Sequence, residues 1–280
     1  IHGFIYNKEA FEEVGVEVPQ TSEEFYAALD KIKEEGSYIP MAMGTADQWE
    51  AATMGFQNIG PNHWKGEAGR KALIDGSAKF TDKPYVDTFT ELATWKNYLP
   101  DGYEAISYPD AQNLFTLGRA AVYPAGSWDI SLFNNQADFA FGAFPPPAPA
   151  GSDTCYISDH TDIALGLNAK SDNAAEAKIF LEWMTGSEFA ELYSNALPGF
   201  FSLSKHNVEI TDPVANEFVS WRQECESTIR NSYQILSRGA PNLENELWNL
   251  SAQVINGTIS PTDAGAAAEA GLAKWYAPHQ

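Results

Sequence analysis

Apolar residues recur at helical spacing along most of the chain. Phe25, Leu29 and Ile32 follow Pro19-Gln20-Thr21-Ser22-Glu23-Glu24, where Thr21 and Glu24 have capping-box spacing, and Gly36 stops the helix. Val86, Phe89, Leu92 and Ala93 give a second apolar face, ended by Pro100-Asp101-Gly102. Ala177, Phe180, Leu181 and Met184 give a third, ended by Gly186. Val214, Phe218, Trp221 and Cys225 lie 4, 3 and 4 apart on one face, and Leu243, Leu247, Leu250 and Val254 repeat that spacing up to Gly257. The alanine-rich stretch from Pro261 to Ala273 predicts a last helix.

Short β-type runs fall between these helices: Gly3–Tyr6, Ile39–Met43, Ala120–Tyr123, Phe139–Phe144 and Ile163–Leu167. Strands alternating with helices predict a layered α/β fold. Phe144–Ser152, with four prolines, reads as a stiff surface loop, too short to separate independent domains. Trp95, Trp183 and Trp221 are expected in the core.

Composition narrows the partners. The 280 residues carry a formal charge of −21, which argues against nucleic acid and anionic membranes, because both are polyanions. With 44% apolar and 13% aromatic residues a packed core is feasible. No run approaches the roughly 18 apolar residues of a membrane span. The chain opens on Ile1-His2-Gly3-Phe4-Ile5-Tyr6, a strand already under way without initiator methionine or signal peptide, as expected of a mature or truncated product. The two cysteines, Cys155 and Cys225, fit no four-ligand zinc pattern. They allow one disulfide, which an exported protein could keep, while Cys225 equally fits a buried free thiol.

Enzyme motifs are absent: there is no GxSxG, Walker A loop, GxGxxG or HExxH. Asp159-His160-Thr161-Asp162 is the one histidine set between acids, and nothing nearby completes a metal ligand set. It reads as a polar strand end, so no metal and no cofactor are expected. With 38 carboxylates some close pair is inevitable, and a glycosidase pair cannot be chosen from counts.

Aromatics beside polar groups, outside the core stripes, remain. Asp47, Gln48 and Trp49 follow a predicted strand; Gly126, Trp128 and Asp129 follow another; Arg238 precedes the helix carrying Glu244 and Trp248. Aromatic faces that cover sugar C–H surfaces, with carboxylates, amides or guanidinium groups for hydroxyls, make a saccharide site. In α/β sheets such groups gather at the carboxyl ends of strands. Gly126 lets the backbone come close beside Trp128, and Asp129 fits either a helix cap or a ligand bond. Arg238 equally fits a surface ion pair, and Asp159 a turn.

In this order the segments resemble those of a known family. Phe4-Ile5-Tyr6-Asn7-Lys8-Glu9-Ala10-Phe11, then Val18-Pro19-Gln20-Thr21, is similar to the opening of the second lobe in family 1 extracellular solute-binding proteins of carbohydrate ABC transporters, the maltose-binding-protein-like group. Phe80-Thr81-Asp82, Gly118-Arg119-Ala120-Ala121-Val122, Gly126-Ser127-Trp128-Asp129, Phe141-Gly142-Ala143-Phe144-Pro145, Phe180-Leu181-Glu182-Trp183-Met184-Thr185 and Leu197-Pro198-Gly199 follow in the family's order.

The resemblance implies a two-lobed, type II periplasmic-binding-protein fold that closes on a ligand. It assigns residues 1–160 and 208–280 to the second lobe and 165–205 to a segment returning to the first, whose initial part is missing from the sequence. By position, Trp128 resembles the family's sugar-stacking tryptophan. Asp47, Gln48 and Trp49 stand where acidic and aromatic cleft residues follow the third strand; maltose-binding protein has EPY there. Asp159, Arg238, Glu244 and Trp248 match positions of polar or aromatic cleft contacts. Both cysteines fall in the second lobe, so a disulfide is geometrically open.

The implied function is non-catalytic: a monomeric periplasmic or lipid-anchored extracellular receptor binds a mono- or disaccharide or related glycoside and delivers it to an ABC permease. The alternatives are a receptor of the same fold for a polyol, a polyamine (served by Asp47, Glu50, Asp129 and Asp159) or a metal-siderophore, and a glycoside hydrolase.

Overall fold

The computed structural model describes residues 1–280. Its centre is a four-stranded sheet in the order β2-β3-β1-β4, built from β1 (His2–Asn7), β2 (Ile39–Met41), β3 (Ala120–Gly126) and β4 (Phe141–Phe144). β1 runs antiparallel to both neighbours, pairing His2 with Gly126 and Phe4 with Phe144, while β2 lies parallel to β3. Two further strands, β5 (Tyr156–Ser158) and β6 (Glu226–Thr228), form a separate parallel pair.

The sheet is buried on both faces. Phe4 and Val122 enter one core and Ile5 and Tyr123 the other, as the two-residue period of a strand requires. Twelve α-helices accompany it: α1 (Lys8–Val14), α2 (Ser22–Glu35), α3 (Gln57–Trp64), α4 (Gly66–Asp75), α5 (Lys83–Thr94), α6 (Tyr108–Thr116), α7 (Ile130–Gln136), α8 (Ala174–Met184), α9 (Ser187–Ala196), α10 (Pro213–Glu224), α11 (Leu243–Ile255) and α12 (Pro261–Ala273). Helices α2, α5, α11 and α12 supply the larger core through Leu29, Phe89, Leu247 and Ala268; α6, α7 and α10 supply the smaller one through Phe115, Phe133 and Phe218. The expected capping box closes the start of α2: Thr21 accepts from Glu24 N–H, and Glu24 accepts from Thr21 N–H.

Between β2 and α3 the chain makes a fully buried π-helical segment, Ala51–Phe56. Helices α3 and α4 escape the periodicity reading because Gly60 and Pro61 lie inside α3 and Lys65, at φ 62°, breaks the chain before α4. Cys155 and Cys225 are joined by a disulfide just ahead of β5 and β6, with Cα atoms 4.7 Å apart, so the free-thiol alternative for Cys225 falls away.

Two expectations are corrected. Ile163–Leu167 is not a strand: the stretch is irregular and exposed, with Ile163 at 61% and Leu165 at 58%, because no neighbouring strand in this chain offers it a hydrogen-bonding edge. Trp183 is not in the core. It stands 37% exposed on α8, which buries none of its residues, and its indole N–H donates to Glu188 at 3.0 Å. The apolar face read from the sequence is present on α8 but only half-covered, with Phe180 54% exposed and the Trp183 ring meeting Phe189 of α9. Trp95 and Trp221 are buried as expected.

Candidate functional site

The carboxyl ends of β2 and β3 open on the same side of the sheet, and antiparallel pairing brings the start of β1 beside them. The loop after β2 turns through Asp47 and Gln48, the latter at φ 61°. The Asp47 carboxylate accepts from the Tyr108 backbone N–H at 2.8 Å and ties this loop to the start of α6. After β3 the chain passes through Gly126 into a short 3₁₀ turn, Ser127–Asp129. A Cβ at Gly126 would stand 2.1 Å from the Trp128 ring, so only glycine lets the indole fold back on the strand end. Gly126→Ala is expected to push that ring off the backbone. The near-UV circular dichroism should change with an intact far-UV spectrum; an unchanged near-UV spectrum would refute the contact.

These elements assemble a row of rings. Trp49 meets Tyr108 edge-on with centroids 4.7 Å apart. The Trp128 indole N–H donates to the Tyr108 hydroxyl at 3.0 Å. Trp128 also lies 5.5 Å from His2 and 6.1 Å from His160, and His160 lies 6.1 Å from Tyr233. Trp49, Tyr108, Trp128, His160 and Tyr233 are each half-buried, so the row offers ring surface to solvent. His2 and His160 face each other with Nε2 atoms 2.8 Å apart, and one ring donates to the other. Burial drives His2 well below its ordinary value, and burial followed by the Arg230 charge takes His160 down to about 3, so both rings are neutral at pH 7.

Charges flank the row in compensated pairs. Asp159 takes two hydrogen bonds from Arg222, at 2.6 and 3.0 Å. Burial pushes the Asp159 carboxyl up, but the Arg222 hydrogen bonds and charge outweigh it and hold the group below its usual value. Arg230 is 8% exposed, donates to Glu244 at 2.8 Å and covers the Tyr233 ring at 5.2 Å. Its Nε has no partner. Behind the row, burial raises Asp129 to about 7, and burial followed by the charges of Asp47 and Asp129 raises Glu50 to about 9.

Of the sequence candidates, Gly126, Trp128, Asp159 and Glu244 come together here, with Asp47 and Trp49 at one end of the row. Gln48 is exposed on the loop tip. Arg238 is exposed and makes no ion pair; the arginine built into this cluster is Arg230. Trp248 packs half-buried against the larger core. Sequence reasoning missed Tyr108, Gln112, His2, His160 as a ring, Arg230 and Tyr233. Tyr108 and Gln112 stand four apart on α6, a spacing that carried a signal; the others meet only through the fold. A cavity of about 920 Å³ adjoins the site, bounded by Trp128, Asp159 and His160 on one side and Ile163, Leu181 and Phe189 on the other. Its second wall is the apolar surface that α8 and α9 leave uncovered.

Comparison with known proteins bears on this arrangement. A family model described as "Bacterial extracellular solute-binding protein" matches residues 2–191. A "Multiple sugar-binding protein" of Streptococcus mutans is 26% identical over 205 residues, covering 69% of this chain and 47% of that protein. A "Probable sugar-binding periplasmic protein" of Mesorhizobium japonicum is 29% identical over 204 residues, covering 69% of this chain and 45% of that protein. The chain thus spans about half the length of these relatives. Among solved structures, a "Chitin oligosaccharide binding protein" superposes with a TM-score of 0.80 at 20% identity, over 98% of this chain and 70% of that one, and shares the α/β fold.

Proposed function

Since the chain belongs to the bacterial extracellular solute-binding protein family, we propose that its ring row binds a mono- or disaccharide or related glycoside for delivery to an ABC permease. The observation that carries this reading is the half-exposed row Trp49–Tyr108–Trp128 continuing to His160 and Tyr233, with compensated charge pairs beside it. Ring faces cover the C–H surfaces of a pyranose, and Asp47, Arg230 and Glu244 offer acceptors and donors to its hydroxyls. The printed names of both relatives, each a sugar-binding protein, favour the same ligand class. Exported localisation and a monomeric receptor are part of the proposal.

The same reading assigns residues 1–160 and 208–280 to one lobe and 165–205 to the other. It is supported by α8, where Ile179 and Phe180 are 67% and 54% exposed, as a face awaiting a second lobe would be. A polyamine receptor is disfavoured: Asp159 and Glu244 are already held by arginines, both Asp129 oxygens are already bonded within the chain, and burial favours the neutral form of Glu50. A glycosidase is disfavoured because Asp159 and Glu244 are engaged by arginines while Glu50 and Asp129 are enclosed behind the row.

Calorimetric titration with saccharide, polyol and polyamine panels tests the proposal. Saturable saccharide binding is expected, with an affinity loss of about tenfold or more in Trp128→Ala, corresponding to about 1.4 kcal/mol. Silence to all saccharides with binding of a polyol or polyamine would overturn it, as would turnover of a chromogenic glycoside.

A further inference from the structure

The two carboxyls most deeply buried in this region lie behind the ring row. Asp129 is 1% exposed and Glu50 is fully enclosed. The two differ in their bonding. Neither oxygen of Glu50 has a partner, whereas Asp129 uses both of its own. Asp129 Oδ1 accepts from the Tyr108 hydroxyl and from Gln112 Nε2, the latter at 2.8 Å, and Oδ2 accepts from Gly126 N–H at 3.1 Å.

A phenol has one proton to give. Tyr108 gives it to Asp129, which turns a hydroxyl lone pair toward the Trp128 indole N–H 3.0 Å away. The Trp128 side chain has a single polar atom, so this is the one hydrogen bond that orients its plane; the bare backbone of Gly126 and the edge-on His2 ring supply the packing restraint. The chain Gln112–Asp129–Tyr108–Trp128 therefore runs from a buried, fully satisfied anchor to a half-exposed ring.

From this chain we propose that Asp129 is a positioning residue: acting through Tyr108, it holds the Trp128 ring in the orientation that stacks on ligand. The proposal rests on the assignment of Trp128 as a stacking residue. A ring held before the ligand arrives loses less freedom on binding, so releasing it should weaken affinity roughly two- to tenfold. Gln112 serves the same end indirectly, by helping to hold Asp129 Oδ1 where the phenol meets it.

The test uses protein labelled with 5-fluorotryptophan, whose eight tryptophans give fluorine resonances, with that of Trp128 assigned by its loss in Trp128→Phe. Asp129→Asn and Tyr108→Phe keep the side-chain shapes and disturb the chain at two different links. Both should shift or broaden the Trp128 resonance, and both should weaken saccharide binding two- to tenfold. Asp129→Asn should produce no further loss when added to Trp128→Phe, because its effect passes through that ring. A Trp128 resonance unmoved by either variant overturns the proposal. So does an Asp129→Asn affinity loss of equal size with Trp128 absent, which would mark a merely structural role. If Asp129→Asn fails to fold, Tyr108→Phe carries the spectral test alone. If no saccharide binds, the resonance still decides the positioning role, and the failure belongs to the proposed function.

Discussion

Replacing Glu50 by glutamine is expected to make the protein more stable at pH 8 and to leave it unchanged near pH 4. Glu50 is fully enclosed, and neither of its oxygens has a hydrogen-bond partner. Burial, then the nearby charges of Asp47 and Asp129, raises its pKa from 4.5 to about 9. The sign follows from linkage. A carboxyl with a higher pKa in the folded state binds its proton more tightly there, so its contribution is fully present below about pH 4.5. It is lost progressively as the pH rises toward 9. At pH 8 the difference corresponds to roughly 3–5 kcal/mol, which Glu50→Gln removes because an amide has no ionised form to desolvate. Thermal melts of both proteins from pH 4 to 9 check this. The curves should converge at the acid end and separate by several degrees at the alkaline end. Parallel curves would mean that Glu50 reaches water or a partner in solution.

Loss of the Cys155–Cys225 disulfide is expected to destabilise the fold by about 4 kcal/mol, from the chain entropy released when a 70-residue loop opens in the unfolded state. The effect should also be local. The bond closes just before β5 and β6, whose parallel pairing carries Asp159 and His160 off one strand and leads toward Arg230 off the other, at the same end. Hydrogen exchange in the double variant Cys155→Ser/Cys225→Ser should therefore rise first at 155–160 and 225–232, before the central sheet loosens. Equal melting temperatures with and without the bond, with its reduction verified by mass, would sink this expectation.

Helix α2 was legible in full, because its start signal, apolar face and stop are all local: Thr21 with Glu24, then Phe25, Leu29 and Ile32, then Gly36 at φ 83°. The same holds for the faces of α10 and α11, which pack where their spacing pointed. Ile163–Leu167 shows the limit of local signals. Its alternation has the form of a strand, yet a strand exists only with a neighbour to receive its hydrogen bonds, and none stands beside it here. Trp183 fails for the matching reason, since an apolar face on α8 guarantees burial only if something covers it.

The site divides along the same line. Gly126 and Trp128 were legible because their relation is two residues long, and the glycine leaves room for that indole. Arg238 is the arginine the sequence offered and Arg230 escaped it, because nothing local to Arg230 marks it as part of a site. The choice falls to Arg230 only when folding brings Glu244 within 2.8 Å of it and Tyr233 beneath it. The sequence alone determined the α/β class, the helices with local caps and apolar faces such as α2 and α11, the acidic character and the glycine–tryptophan turn, since propensity, periodicity and charge are properties of neighbouring residues. Only the tertiary structure decided which rings form a row, which carboxylates are neutralised by arginine and which are buried. Those outcomes depend on desolvation and on contacts between residues far apart in sequence, such as His2 with His160 and Asp159 with Arg222.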